Sequence, residues 1–186
     1  MRQKMQPEHV ILLDSLRSPC GIQDKTIAHH QLTPLHLAFS CWIFNSKGQL
    51  LITRRALSKK AWPGVWSNSV CGHPQQHEPF EAAVQRRCSY EVNIDVEDII
   101  LIDNAFSYCE TDPSGIRENE YCPVYAARAT SSMSLRKSEV MDASWVKLPA
   151  LIAAVNDLPA LFSPWMVQQL QPADNVDKLL RYSDIS

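Results

Sequence analysis

The 186-residue chain predicts a single α+β domain, a sandwich of sheet and helices, and three observations carry that prediction. Its length fits one domain of roughly 150–200 residues with room for a sizeable core. Apolar, β-favouring runs come first, at His9–Leu13, 35–44 and 49–55, and helical patterns are interspersed later. Hydrophobic residues make up 45% and charged residues 20%, the balance of an ordinary globular protein, which excludes general disorder.

In chain order, residues 1–7 are polar and read as a flexible N-terminus ahead of a domain over 8–170. His9–Leu13 is a first buried strand, and 14–21, with Ser18-Pro19 and Gly21, is a turn or hairpin end. The runs 35–44 and 49–55 form a hairpin about Asn45-Ser46-Lys47-Gly48. Residues 62–74 hold two prolines and two glycines and predict an irregular loop leading into a short strand from Val70 to His73. Pro79 to Val92 is the clearest helix, with proline suited to its first turn, Glu81 near its N-terminus and Asn93 as a left-handed C-cap. Strands are predicted over 99–105 and 120–128, joined through the turn Asp112-Pro113-Ser114-Gly115, and Trp145 sits on or just after another strand. Helices follow over 149–156 and 163–170, the second with Ser163 as N-cap and Pro164 at its first position. Residues 171–186 are a polar tail expected to fray.

Composition narrows the function. A net charge of −2 gives no basic stripe for nucleic acid. Arg54, Arg55, Lys59 and Lys60 nonetheless fall within a few positions, which suggests a small anionic ligand. No run approaches the ~20 apolar residues of a membrane span, and no signal peptide is visible. Cysteines stand at 20, 41, 71, 88, 109 and 122 with no Cys-x-x-Cys pair, which argues against zinc-finger and thioredoxin chemistry. Free thiols without a secretion signal point to the cytoplasm.

Two short words carry the chemistry: Cys71-Gly72-His73 and Glu118-Asn119-Glu120. Side chains two apart on a strand share a face. A thiol beside an imidazole and two adjacent carboxylates suit a metal and acid/base site better than a core. Around Cys71 runs a string dense in cations and tryptophan, from Arg54-Arg55 through Lys59-Lys60, Trp62-Pro63-Gly64-Val65-Trp66 and Asn68 to Pro74.

This string resembles the type 1 isopentenyl diphosphate isomerases, a Nudix-fold family, and the resemblance runs from about Glu8 to about Leu170. It implies a single-domain α/β/α sandwich with a mixed sheet, and an enzyme that interconverts isopentenyl and dimethylallyl diphosphate. Gly72, Glu78 and Arg86 match the start of the Nudix pattern. The pattern then asks for further helix carboxylates, and Arg87-Cys88-Ser89-Tyr90-Glu91-Val92-Asn93 keeps only Glu91. That loss argues against a Nudix diphosphohydrolase, the enzyme alternative, while one diphosphate-bound Mg2+ at Glu91 stays compatible. Read alone, Glu91 is equally a helix carboxylate paired with Arg87 one turn earlier.

By the same resemblance, His29, His36, His73, Glu118 and Glu120 ligate one Mn2+, Mg2+ or Zn2+, a nitrogen/oxygen set suited to such ions. Cys71 and Glu120 are the acid/base pair, with Tyr108 hydrogen-bonding within the site. Lys25, Arg55, Lys59 and Arg87 engage the diphosphate. Strand alternation turns Arg54 and Arg55 to opposite sides, so one of them reaches the pocket. Trp165 faces the isoprenyl carbons; otherwise it is a core anchor. The expected partner is a small allylic or homoallylic diphosphate, with no nucleic acid or membrane, bound by a monomer or homodimer. A non-catalytic metal or diphosphate-binding module is the remaining alternative, and it leaves Cys71, Tyr108 and Trp165 with no reason to occur together.

Overall fold

A computed structural model describes residues 8–184, so the flexible segment expected over 1–7 lies outside the described residues. In chain order come β1 (His9–Leu13), β2 (Pro19–Asp24), a short helix α1 (Lys25–Ala28), β3 (His36–Leu37), β4 (Phe39–Phe44), β5 (Leu50–Arg55), β6 (Trp66–Ser67) and β7 (Val70–Gly72). The long helix α2 (Phe80–Val92) follows, then β8 (Val96–Asp103), β9 (Ser107–Thr111), β10 (Arg117–Tyr121), β11 (Val124–Ala129) and β12 (Val140–Val146). Last are α3 (Leu148–Asp157), α4 (Pro164–Gln169) and α5 (Ala173–Ser183).

A 5-stranded sheet runs β2-β1-β3-β10-β9, and a 7-stranded sheet runs β12-β5-β4-β11-β8, with β6 beside β5 and β7 beside β4. Every residue of β4 is buried, because both faces of the larger sheet are covered. Its alternating side chains divide between two cores. Phe39, Cys41 and Ile43 join Ala83, Val84 and Cys88 of α2, whereas Trp42 and Phe44 join Leu148 of α3, Met166 of α4 and Leu179 of α5. That is the predicted α/β/α sandwich.

The runs 35–44 and 120–128 each break between the two sheets instead of forming one strand. Pro123 has no N–H to continue a ladder, so β10 ends and β11 begins in the other sheet. The break is shared: β3 lies parallel to β10 with His36 opposite Glu120, and β4 lies parallel to β11 with Ser40 opposite Val124. Backbone bonds from Ala38 N to Tyr121 O (2.9 Å) and Ser40 N to Pro123 O (3.0 Å) stitch the crossing.

Other expectations shift in detail. The stretch 14–21 expected as a turn or hairpin end turns at 15–17 and then opens β2, an exposed edge strand paired with β1. The Asp112–Gly115 turn joins β10 to β9, a strand the sequence reading did not contain. The tail does not fray over 173–183. Its α5 buries Leu179 and Tyr182, the Tyr182 ring lies 5.4 Å from Phe44, and its hydroxyl donates to Asp98 O at 2.8 Å. Pro79 stands at the N-cap of α2, just ahead of its first turn. Asn93 closes that helix in the left-handed region at φ 53°, as predicted. Gly72 is required where β7 meets α2, since a Cβ there would lie 2.7 Å from the Arg87 side chain.

Candidate active site

Strand register gathers the site where the two sheets exchange strands. Glu120 sits opposite His36 on β3 and opposite Tyr108 on β9, while Cys71 sits opposite Ser40 on β4. Alternation on β10 turns Glu118 and Glu120 inward together. His29 follows α1 and His73 follows β7, so both reach the same point from loop backbone. A cavity of about 490 Å³ opens there, walled by His29, Cys71, His73, Tyr108, Glu118, Glu120 and Trp165.

The three imidazoles cluster edge-on or tilted to one another, with ring centroids 5.1, 5.2 and 5.5 Å apart. His36 Nε2 and His73 Nε2 lie 3.4 and 3.2 Å from Glu120 Oε1, and His29 Nε2 lies 3.0 Å from Glu118 Oε2. One ligand atom each from His29, His36, His73 and Glu120 falls within a 4.8 Å group. His36 Nδ1 lies 2.9 Å from Pro34 O, which assigns the ring proton there and leaves Nε2 a lone pair facing inward. Both His36 Nε2 and Glu118 Oε2 are buried without a hydrogen-bond partner. Lone pairs converging in a buried pocket repel unless a cation lies among them. The donor set, nitrogen and oxygen without thiolate, fits a divalent metal ion.

Charge states fit that arrangement at His73 and Glu120, while His36 leans toward the protonated form. Burial drives His73 down to about 3 against the pull of Glu120, leaving the neutral imidazole a metal needs. At His36 burial acts the same way, but the Glu120 carboxylate 3.4 Å away outweighs it and raises the pKa. Burial would raise Glu120; the proximity of His36 and His73 overcomes it and holds the carboxyl well below its usual range. Burial and then the Glu120 charge push Tyr108 well up, so its hydroxyl stays protonated and donates to Glu120 Oε2 at 2.9 Å. Burial also pushes the Cys71 thiol up to about 11. Cys71 is partly exposed toward the cavity, while Cys41, Cys88 and Cys122 are buried.

Trp165 is 2% exposed, packed against Trp62 and Tyr108 at 5.5 and 5.6 Å. Arg55 Cζ lies 5.2 Å from its ring centroid. Asp112 organises this wall: Oδ1 accepts from Ser114 N and Ile116 N in the β9–β10 turn, and Oδ2 accepts from Trp62 N.

The same cavity is lined by Lys25, Arg55, Lys59 and Arg87, all four of the cations expected at the diphosphate. Arg54 turns away and donates to Gly64 O at 2.9 Å, as alternation predicts. Two carboxylates that the sequence reading did not single out pair with these cations. Glu8 meets Lys25 at 2.5 Å, Arg86 at 2.6 Å and Arg87 at 3.1 Å, and Glu139 pairs with Lys59 and with Arg87 at 3.3 Å. No local pattern marks Glu8 or Glu139, because their partners are distant in sequence. Burial opposes ionisation of Glu8, but Arg87, Lys25 and Arg86 prevail and hold it at about 2. Glu91 does not line the cavity. Its Oε1 accepts from Arg87 Nε at 3.1 Å and also pairs with Arg87 Nη2, the helix ion pair read from its spacing alone. Glu78 and Arg86 pair at 2.7 Å beneath the loop carrying His73, and Arg86 also donates to His73 O at 3.0 Å.

The NUDIX domain family model matches residues 34–166. The chain is 54% identical over 176 residues to a Salmonella arizonae protein named isopentenyl-diphosphate Delta-isomerase, covering 95% of this chain and 96% of that one. A Klebsiella pneumoniae protein of the same name is 55% identical over 170 residues, covering 91% and 92%. Among solved structures, one from Deinococcus radiodurans superposes with a TM-score of 0.65 at 20% identity, over 89% of this chain and all of that one, a likeness of fold. Among the described residues no helix is long and apolar enough to cross a membrane.

Proposed function

The chain belongs to the NUDIX family and isomerises isopentenyl diphosphate, and from that premise we propose that Cys71 and Glu120 are its acid/base pair. The observation that carries this is the convergence of a neutral thiol, an ionised carboxylate, a tyrosine donor and an indole on one cavity that four cations also line.

The substrate is an unactivated alkene, so no carbonyl acidifies its allylic C–H bonds. Protonation of one alkene carbon must lead, giving tertiary carbocation character, and a proton must then leave the neighbouring carbon on the other side. One thiol proton and one free carboxylate supply the count that this proton-in, proton-out reaction needs. In the reverse direction the two groups exchange roles. Tyr108 orients Glu120 through its bond to Oε2. Trp165 offers a π face to the cation, worth about 2 kcal/mol when desolvated.

Lys25, Arg55, Lys59 and Arg87 hold the diphosphate and thereby aim the alkene between thiol and carboxylate. Glu91 stands behind Arg87 in this structure, so it would hold a diphosphate-bound Mg2+ only once its ion pair with Arg87 opens. His29, His36, His73, Glu118 and Glu120 would hold one Mn2+, Mg2+ or Zn2+, which supplies positive charge that orders the carboxylates and adjusts the acidity of Glu120. Either a monomer or a homodimer is compatible with this reading. Six free thiols suit the reducing cytoplasm.

A NUDIX hydrolase would need helix carboxylates facing the diphosphate. Here Arg87 and Tyr90 line that wall instead. Incubating the protein with isopentenyl diphosphate separates the possibilities: dimethylallyl diphosphate is expected, released phosphate would reveal a hydrolase, and unchanged substrate a binding module.

A further inference from the structure

A buried side chain behind the cavity wall ties the thiol to the indole. Asn68 is 1% exposed and does not line the cavity. Its Nδ2 donates to Cys41 O at 3.2 Å and Val70 O at 3.1 Å, two backbone carbonyls of the paired strands β4 and β7. Those carbonyls can only accept, so they fix which way the amide points. The flipped amide would set its oxygen against two carbonyl oxygens. Oδ1 is therefore held toward the active site, where it accepts from Cys71 Sγ at 3.2 Å, Trp165 Nε1 at 2.9 Å and Ser67 Oγ at 3.0 Å. Ser40 approaches the thiol from the opposite strand, with Oγ 3.4 Å from Cys71 Sγ, and Gln169 Nε2 donates to that Oγ at 2.8 Å. With Gln169 filling an acceptor position, the single Ser40 proton is left for a thiol sulfur, Cys71 or Cys122.

We propose that Asn68 is a positioning residue for the isomerisation: its amide oxygen, locked by the Cys41 and Val70 carbonyls, registers the Cys71 sulfur and the Trp165 indole to one another, so that the proton-transfer group and the π face address the same carbon. The proposal rests on the reading of Cys71 and Trp165 given above. Its physical basis is that proton transfer depends steeply on placement, and a shift of 1 Å is enough to cost a large part of the rate. Among the diphosphate cations, Lys25, Lys59 and Arg87 are held by Glu8, Glu139 and Glu91, and Arg55 meets the Asn68 network only through the face of Trp165, so substrate affinity should be largely separable from turnover.

The test is Asn68→Ala, with kcat and KM for isopentenyl diphosphate, melting temperature and bound metal measured together. We expect kcat to fall on the order of tenfold or more, with KM within about threefold of the parent and metal content unchanged. A double-mutant cycle with Trp165→Phe adds a readout that a purely structural role would not move. The indole N–H is absent in that background, so the loss on removing Asn68 should shrink several-fold there. Unchanged kcat, a loss confined to KM, or losses that simply multiply in the double variant would each overturn the proposal. Should Asn68→Ala not fold, Asn68→Ser gives the same readout, since its short hydroxyl cannot span from the two carbonyls to both donors. Cys71→Ala measured alongside keeps the two claims apart. Activity retained there sinks the thiol reading itself, whereas a dead Cys71→Ala beside an unimpaired Asn68→Ala sinks only the positioning role.

Discussion

Replacing Trp165 by phenylalanine and, separately, by leucine sets packing against electrostatics. The indole is 2% exposed and its N–H reaches Asn68 Oδ1 and Ser67 Oγ. Either replacement removes that donor, at about 1–3 kcal/mol for the partners left short. Either also leaves unfilled space, and together these costs come to roughly 2–4 kcal/mol. At about 2–4 °C per kcal/mol in a domain of this size, both variants should melt on the order of 5–15 °C lower. Turnover should separate them. Phenylalanine keeps a π face and leucine does not, and the Arg55 guanidinium 5.2 Å from the indole centroid marks this ring as one that attracts cations. A desolvated cation–π contact of about 2 kcal/mol corresponds to roughly thirtyfold in rate, of which phenylalanine retains part. The leucine variant should therefore turn over on the order of tenfold slower than the phenylalanine variant, with KM nearly equal. The assay is kcat, KM and melting temperature for both. Equal kcat at similar stability would refute the cation–π role and leave Trp165 as packing.

Further outcomes follow from the same geometry. His29→Ala or His73→Ala should lower bound metal and activity together, measured by elemental analysis of the purified variants; full metal content in either would contradict the shared site. Glu91→Gln should weaken Mg2+-dependent substrate binding while the histidine site keeps its ion, and loss of that ion would show that the two cation positions are not separate. Glu8 is held at about 2 against 4.5 when unfolded, so its stabilisation is present above pH about 4.5 and is lost as pH falls toward 2. Taken alone that shift is about 3 kcal/mol. The Lys25 ammonium in the same cluster is pushed down, first by burial and then by Arg87, so a net contribution on the order of 1–2 kcal/mol is the better figure. Glu8→Gln should lower the melting temperature at pH 7 and reduce its acid dependence between about 4.5 and 2; an unaltered acid limb would remove Glu8 from this role.

The reach of the sequence ended where contacts became long-range. Cys71 with His73, and Glu118 with Glu120, were legible because strand alternation is a local rule. Helix α2 was legible through its acidic first turn and the left-handed Asn93. The split of 35–44 and 120–128 was hidden because β4 is buried on both faces, so an apolar run carries no sign of a change of sheet. Helix α5 was hidden by its polar composition; what orders it is tertiary, the burial of Leu179 and Tyr182 against the larger sheet. Glu8, Glu139 and Asn68 are ordinary polar residues until the fold brings Arg87, Lys59 and Cys71 beside them. Glu91 marks the limit of spacing arguments, since the same residue was legible both as a metal ligand and as the partner of Arg87.

The most direct test of the account is Cys71→Ala. The thiol borders the cavity and is not part of the metal cluster, so its removal should leave folding and bound metal near the parent values. Isomerisation of isopentenyl diphosphate by the purified, metal-loaded variant should be abolished, because one of the two proton-transfer groups is gone while the diphosphate site and Glu120 remain. Turnover above a few per cent of the parent, at equal metal content and melting temperature, would contradict the assignment of Cys71 and with it the two-group mechanism.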